Sequence, residues 1–381
     1  MSLRKTKIQV FIGTRPECIK LAPLVAEIES RPDEYELSVC LTSQHREMLQ
    51  QALKWFPIQV HHDLDVMSDG QHLIDLQARI MTKAKPLIES FKPDWVVVQG
   101  DTATALSVSL AATWLDAPVA HVEAGLRTGN RYSPWPEELN RTLIGRLARC
   151  HLAPTGKNAQ ALEKEGVDGE IHVVGNTVID ALLGMQKRLQ TDTVLNTAIA
   201  SSLKDEGVVL DDRKLLLVTG HRRESFGDGF RQICAAIART AREWPEVHIV
   251  YAVHLNPQVH DVVHELLSSY NNVSLIGPQD YASFVYLMDQ CHFILSDSGG
   301  IQEEAPSLNK PVLVMRDTTE RTEAIDSGSV KLVGTKEADI CDGVNALLND
   351  ENQYNAMAHS ENPFGRGITS ALIADILLQP V

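Results

Sequence analysis

The chain lacks long apolar runs. None approaches the roughly 18 residues needed to cross a bilayer, so no spanning helix and no membrane partner are expected. The opening Met1-Ser2-Leu3-Arg4-Lys5 passes straight into strand-like sequence without the apolar segment of a secretory leader, which predicts a cytoplasmic protein. Paired cysteines are lacking too. Cys18, Cys40, Cys150, Cys234, Cys291 and Cys341 are scattered with no Cys-x-x-Cys among them, which argues against a zinc site or a disulfide framework and for buried thiols. Positive charge is short: Lys and Arg number 35 against 50 Asp and Glu, for a formal net charge of -15. A phosphate backbone needs a basic surface, so nucleic acid is not an expected partner. A small anion remains open, because a local cluster of Arg and Lys can hold one on an acidic molecule. No Gly-Lys-Ser/Thr follows a glycine-rich turn, and Gly13 does not begin a Gly-x-Gly-x-x-Gly fingerprint. Neither a Walker loop nor an NAD site is indicated, and no cofactor or metal is expected.

What is present is a 381-residue chain, 44% hydrophobic and 22% charged, enough for two cores of ordinary size. Short runs rich in Val and Ile alternate with helical stretches throughout. In the first half the strands read at 8–12, 36–41, 95–99, 118–122, 151–153 and 171–174, with helices such as 21–30, 71–91 and 103–115 between them. In the second half they read at 214–219, 247–253, 273–276, 293–296, 312–315 and 330–333, with helices such as 230–244 and 258–269. Continuous apolar character predicts strands covered on both faces, and the alternation predicts βαβ units with parallel sheets. The polar stretch 189–212 has no strong strand signal. The expected organisation is therefore a Rossmann-like domain over 1–188, a second over 189–360, and a C-terminal segment, 361–381, forming a helix that packs back toward the first. Ligands of such folds bind at the carboxyl ends of the strands, here in a cleft between the domains.

Six motifs fall mostly at those ends. Gly13-Thr14-Arg15-Pro16-Glu17, with Lys20 beyond, follows the first strand. It reads either as a turn that aims a helix N-terminus and two cations at an anion, or as an ordinary strand–turn–helix. Gln99-Gly100-Asp101-Thr102 ends another strand. Asp101 there is either a working carboxylate or part of a helix cap. In His121-Val122-Glu123-Ala124-Gly125-Leu126-Arg127, Glu123 is either a site residue or half of a surface pair with Arg127. In Pro134-Trp135-Pro136-Glu137-Glu138-Leu139-Asn140-Arg141, Glu137 either serves the site or simply opens a helix where acidic groups suit the dipole. Acid-bearing turns at equivalent strand ends favour a shared site. Thr219-Gly220-His221-Arg222-Arg223-Glu224 mirrors the first motif in the second half, as a diphosphate clamp or a solvated basic turn. Ser296-Asp297-Ser298-Gly299-Gly300-Ile301-Gln302-Glu303-Glu304 is the strongest nucleotide signal. Its small residues let backbone N–H groups approach a phosphate, and Glu304 lies about a turn further on, within reach of a ribose diol.

Together these segments resemble the non-hydrolysing UDP-N-acetylglucosamine 2-epimerases of bacteria. The resemblance runs through GTRPECIKLAPL, TSQHREML, HVEAGLRTGNRYSPWPEELNR, GNTVIDAL, VTGHRRESFG, SDSGGIQEEAPSLNKPVLVMRDTTER and NPFG, nearly the whole chain. It implies a GT-B-like fold of two Rossmann-like domains, a homodimer, and production of UDP-N-acetylmannosamine for cell-surface polysaccharide. By resemblance, Arg15, Lys20, His221, Ser298, Gly299, Gly300, Glu304 and Arg321 meet UDP, and Gln279 and Phe284 lie beside the uracil. Asp101, Glu123 and Glu137 are the carboxylates linked to catalysis, with His221 counted beside them and Arg141 among the substrate contacts. Gln44, His45, Arg222 and His254 resemble a second substrate site through which some members are activated.

The implied chemistry makes sense of these groups. The C2 proton of N-acetylglucosamine is not α to a carbonyl, so simple deprotonation is costly. Breaking C2–H as UDP leaves C1 gives a 2-acetamidoglucal instead of a free carbanion. Fixed cations and N–H groups must then meet the charge on the leaving diphosphate, and acid–base groups are needed at both faces of the ring. A hydrolysing epimerase, a GT-B glycosyltransferase and a non-catalytic sugar-nucleotide sensor remain as rivals.

Overall fold

In strand β1 (Thr6–Ile12), Ile8, Val10, Phe11 and Ile12 have no exposed surface. All five residues of β4 (Trp95–Gln99) are buried as well. Strands of this kind are covered on both sides, which is why their sequence is apolar without alternation. The computed structural model describes residues 4–43, 46–68, 70–222 and 226–379. Two units divide the chain: Met1–Ala181 with Phe364–Val381, and Leu182–Pro363.

In unit 1 the remaining strands are β2 (Tyr35–Leu41), β3 (His62–Asp63), β5 (Val119–Val122), β6 (Cys150–Ala153) and β7 (Glu170–Val173). Helices α1 (Arg15–Glu29), α2 (Arg46–Trp55), α3 (Leu73–Phe91), α4 (Ala103–Trp114), α5 (Glu137–Leu147) and α6 (Gly156–Glu165) follow β1 to β6 in turn. The sheet order is β3-β2-β1-β4-β5-β6-β7, and every pairing is parallel. Helix α1 starts at Arg15, earlier than the sequence periodicity predicts. Thr14 and Glu17 form a capping box, and Pro16 in the first turn costs no hydrogen bond. β3 has no counterpart in the sequence reading: it is two exposed residues at the sheet edge.

Helix α7 (Thr177–Thr191) carries the chain from unit 1 into unit 2, so the change of unit falls inside a continuous helix and not in the polar stretch 189–212. Most of that stretch is α8 (Thr193–Asp205). Strands β8 (Leu215–Thr219), β9 (His248–Ala252), β10 (Val273–Ile276), β11 (Phe293–Ser296), β12 (Val312–Val314) and β13 (Val330–Leu332) form a second parallel sheet in the order β10-β9-β8-β11-β12-β13. Between and after them come α9 (Asp228–Glu243), α10 (Pro257–Leu267), α11 (Tyr281–Gln290), α12 (Gly299–Glu304), α13 (Thr322–Asp326), α14 (Glu337–Asn349) and α15 (Glu351–Ala358). The last helix, α16 (Thr369–Leu377), belongs to unit 1, where Tyr35 donates its hydroxyl to Ala374 O at 2.6 Å and Arg31 meets Asp375 at 2.5 Å.

Both units are doubly wound, Rossmann-like α/β domains, in agreement with the fold class expected from the sequence. In each, strand order reverses beside the unit's first strand, between β1 and β4 and between β8 and β11. In open α/β sheets such a reversal is where ligands bind, beyond the carboxyl ends of the strands. Among the described residues, no helix is long and apolar enough to cross a membrane.

Candidate active site

In unit 1 the loops after β1, β4 and β5 meet at the switch point. β1 ends at Ile12, and the chain turns through Gly13, where a Cβ would fall 2.0 Å from Thr104 Oγ and 2.7 Å from Thr42 Oγ. No side chain fits there, so the turn lies against α4. Glu17 then fastens it. Its fully buried carboxylate accepts the backbone N–H groups of Gly13 (3.0 Å) and Thr14 (2.7 Å), the Thr14 hydroxyl (2.8 Å) and, from the neighbouring loop, the Thr102 hydroxyl (2.7 Å). Burial pushes its pKa up to about 7 against these hydrogen bonds.

Asp101 follows Gly100, whose φ of +67° suits glycine. The loop is held from two further sides: His121 Nε2–H donates to Gly100 O at 2.7 Å, and Asn140 donates to Asp101 O at 2.8 Å. Thr102, and not Asp101, caps α4, accepting from the N–H of Ala105. Asp101 instead faces Arg141 Nη2 at 2.9 Å. Burial, the largest cause, pushes the Asp101 carboxyl above its usual range; Arg141 opposes this, Glu123 reinforces it, Lys20 opposes it and Glu137 reinforces it. Asp101 thus lies within electrostatic range of all four.

Glu123 leaves β5 with φ of +64°, a conformation uncommon outside glycine. Its carboxylate pairs with Lys20 and accepts from Gln99 Nε2. Arg127 does not pair with it; that guanidinium holds Glu165 at 2.7 and 3.0 Å. Glu137 opens α5, after the cis bonds Ser133–Pro134 and Trp135–Pro136, and its Oε2 is buried with no hydrogen-bond partner. Such an oxygen is costly unless a ligand completes it. Arg15, half-buried, begins α1. Asp101, Glu123, Glu137, Lys20 and Arg141 are therefore one cluster, and motif reading passed over the groups that fix it: Glu17, Gln99, His121 and Asn140.

Unit 2 presents its own set at the corresponding edge. After β8, the N–H groups of His221 and Arg222 donate to Asp297 Oδ2 at 2.7 and 2.8 Å. Asp297 lies just after β11 and is 1% exposed. The His221 ring stacks on His254 with centroids 5.1 Å apart. Burial draws the His221 pKa down, opposed by Asp297 and helped by His254 and Arg222. Ser298 precedes α12, at whose start a Cβ on Gly299 would come within 3.0–3.3 Å of the Arg321 guanidinium. Arg321 Nε is 2.9 Å from Glu303 Oε1. A Cβ on Gly300 would meet Glu304 Oε1 at 3.8 Å and Ser298 Oγ at 3.9 Å. Gln279 donates to Glu206 and to Gly277 O, while half-buried Phe284 lies on α11. Gln44 and His45 lie outside the described residues, as does Arg223.

The chain matches a known family. The family model for UDP-N-acetylglucosamine 2-epimerase matches residues 26–378. The chain is 54% identical to the UDP-N-acetylglucosamine 2-epimerase of Yersinia pestis, covering 95% of each chain. It is 51% identical to that of Escherichia coli K12, covering 97% of this chain and 98% of the relative. Among solved structures, that of the Neisseria meningitidis enzyme bound to UDP-GlcNAc superposes with a TM-score of 0.89 at 45% identity, covering 98% of this chain and 100% of that one. Agreement over the whole length, in a GT-B-like α/β fold, identifies this chain as a member of the UDP-N-acetylglucosamine 2-epimerase family.

Proposed function

We propose that the chain interconverts UDP-N-acetylglucosamine and UDP-N-acetylmannosamine without hydrolysis, by anti elimination of UDP from C1 and the proton from C2 to a 2-acetamidoglucal, followed by protonation of C2 on the opposite face and return of UDP to C1. The observation that carries the reading is the carboxylate cluster of unit 1, with Asp101 paired to Arg141, Glu123 paired to Lys20, and a buried Glu137 oxygen left without a hydrogen-bond partner. Burial, the largest cause, raises the Asp101 carboxyl above its usual range, with Arg141 opposing and Glu123 adding to it, which suits a group that takes up and returns a proton. Epimerisation needs such groups: one takes the C2 proton as the C1–O bond breaks, and another returns a proton from the other face. The solved meningococcal relative is described as bound to UDP-GlcNAc, and that ligand is transferred here to this chain.

Unit 2 is assigned the nucleotide half. The Ser298–Gly300 turn and Arg321 meet the diphosphate, Glu304 the ribose, and Gln279 and Phe284 the uracil. His221, Arg15 and Lys20 offset the charge that grows on the leaving group. Arg141 holds Asp101 and faces the sugar. Gln44, His45, Arg222 and His254 are assigned to a second, activating substrate molecule. The reading extends to a cytoplasmic homodimer serving cell-surface polysaccharide.

The experiment is a proton NMR time course with UDP-N-acetylglucosamine in deuterated water. UDP-N-acetylmannosamine carrying deuterium at C2 supports the mechanism. Free N-acetylmannosamine with UDP assigns the chain to the hydrolysing enzymes instead, and unchanged substrate ends the proposal.

A further inference from the structure

Asp297 has one oxygen more than the turn it supports requires. Its Oδ2 is committed to the N–H groups of His221 and Arg222. Its Oδ1 is buried, has no hydrogen-bond partner, and faces His221 Nδ1 at 3.7 Å. A buried carboxylate oxygen calls for a donor. The imidazole supplies one after a small rotation of either side chain, provided that its Nδ1 carries hydrogen. The ring also stacks on His254, the two planes nearly parallel at 8°. The imidazole keeps 43% of its surface exposed, and Nε2 is the ring nitrogen that Asp297 does not face. Among the described residues, the charged and titratable groups facing the ring are Asp297 from beyond β11, His254 from beyond β9 and Arg222 on its own turn.

We propose that Asp297 is a positioning residue for His221: it accepts the Nδ1 hydrogen, fixes the ring as the Nδ1–H tautomer, and stabilises the imidazolium once an anion faces Nε2. A neutral imidazole in water prefers hydrogen on Nε2, which would present a donor to the ligand but leave Asp297 Oδ1 unmet. With Asp297 on one side, Nε2 begins as an acceptor and takes up a proton when a diphosphate arrives. The ring then carries positive charge only while the anion is bound. That behaviour suits a group which must hold a leaving diphosphate and release the product. The choice of a diphosphate rests on the function proposed above, whereas the tautomer does not.

The test uses the full chain labelled with nitrogen-15 in its histidines, with His221→Asn to assign the resonances. Long-range proton–nitrogen correlations distinguish the two tautomers and the imidazolium. The ligand-free protein at pH 8 is expected to show hydrogen on Nδ1 and a bare Nε2. Hydrogen on Nε2 overturns the proposal, whatever the enzyme's activity. Asp297→Asn is the discriminating variant. Its amide oxygen still accepts both backbone N–H groups, but its NH₂ faces the ring and can only donate to Nδ1, so the tautomer is expected to reverse. An unchanged tautomer in this variant overturns the proposal. With saturating UDP-N-acetylglucosamine at pH 7, His221 is expected to be doubly protonated in the wild type and neutral in Asp297→Asn. A neutral ring in the ligand-bound wild type overturns the protonation step. The diphosphate of that ligand does not itself titrate near neutrality. If UDP-N-acetylglucosamine fails to bind, the function proposed above fails, and the ligand-free tautomer still decides the role of Asp297.

Discussion

The two units fasten the loop after their first strand with a buried carboxylate, but they draw it from different places and leave it in different states. In unit 1 it is Glu17, from the helix that the loop opens, with both oxygens taken by Gly13, Thr14 and Thr102. In unit 2 it is Asp297, from the strand next door, with one oxygen bound to the turn and the other facing an imidazole. The packing differs in the same sense. A Cβ at Gly13 would lie 2.0 Å from Thr104 Oγ, whereas at Gly220 the nearest atom is the flexible end of Met315 at 3.1 Å. Unit 1 is closed around its carboxylate, with both oxygens hydrogen-bonded. Unit 2 keeps both slack and an unused acceptor. On the function proposed above, a rigid frame suits the groups assigned to proton exchange, and a looser turn those assigned to the charged ligand.

The comparison can be broken most directly at Asp101. Asp101→Asn is expected to lower turnover about 10³-fold, in the range for loss of an acid–base group, while UDP still binds in calorimetry. Retained turnover would move the chemistry out of unit 1. The next effect is on stability. Glu17 has its pKa raised from 4.5 to about 7, so the folded state holds the proton more tightly than the unfolded one. Its contribution is fully present below about pH 4.5, declines as pH rises, and is lost once pH passes about 7. Glu17→Gln is expected to remove this decline, worth up to about 3 kcal/mol, from urea unfolding measured between pH 5 and 8. A decline of the same size in the variant would show that other groups set it. Gly13→Ala is expected to cost about 2 kcal/mol through overpacking, read as a lowered urea midpoint. Gly220→Ala should cost less than about 1 kcal/mol, since a methionine methyl can shift. Equal losses at the two glycines would erase the difference between the units.

The sequence made the sheets legible because buried parallel strands are written in Val, Ile and Leu. Among the described strands only β3 escaped, its His62 and Asp63 being exposed and without apolar character. Asp101 and Glu123 were readable for a related reason: an acid at the end of an apolar strand is conspicuous. The supporting carboxylates were not. Glu17 sits where any helix accepts an acidic first turn, and Asp297 sits among small residues that read as a phosphate loop. Their roles depend on burial and on donors far away in sequence, such as Thr102 for Glu17 and the His221 turn for Asp297. Glu137 was legible as a helix start, but its unmet oxygen was not.

Helix α16 returns to unit 1 after the whole of unit 2 has intervened, and its Ala374 and Asp375 meet Tyr35 and Arg31. A chain emerging from the ribosome amino end first must therefore leave that flank of α1 uncovered throughout the synthesis of unit 2. Unit 1 has a piece that only the last stretch of the chain can supply. The half carrying the carboxylate cluster is thus complete only when both ends of the chain have come together.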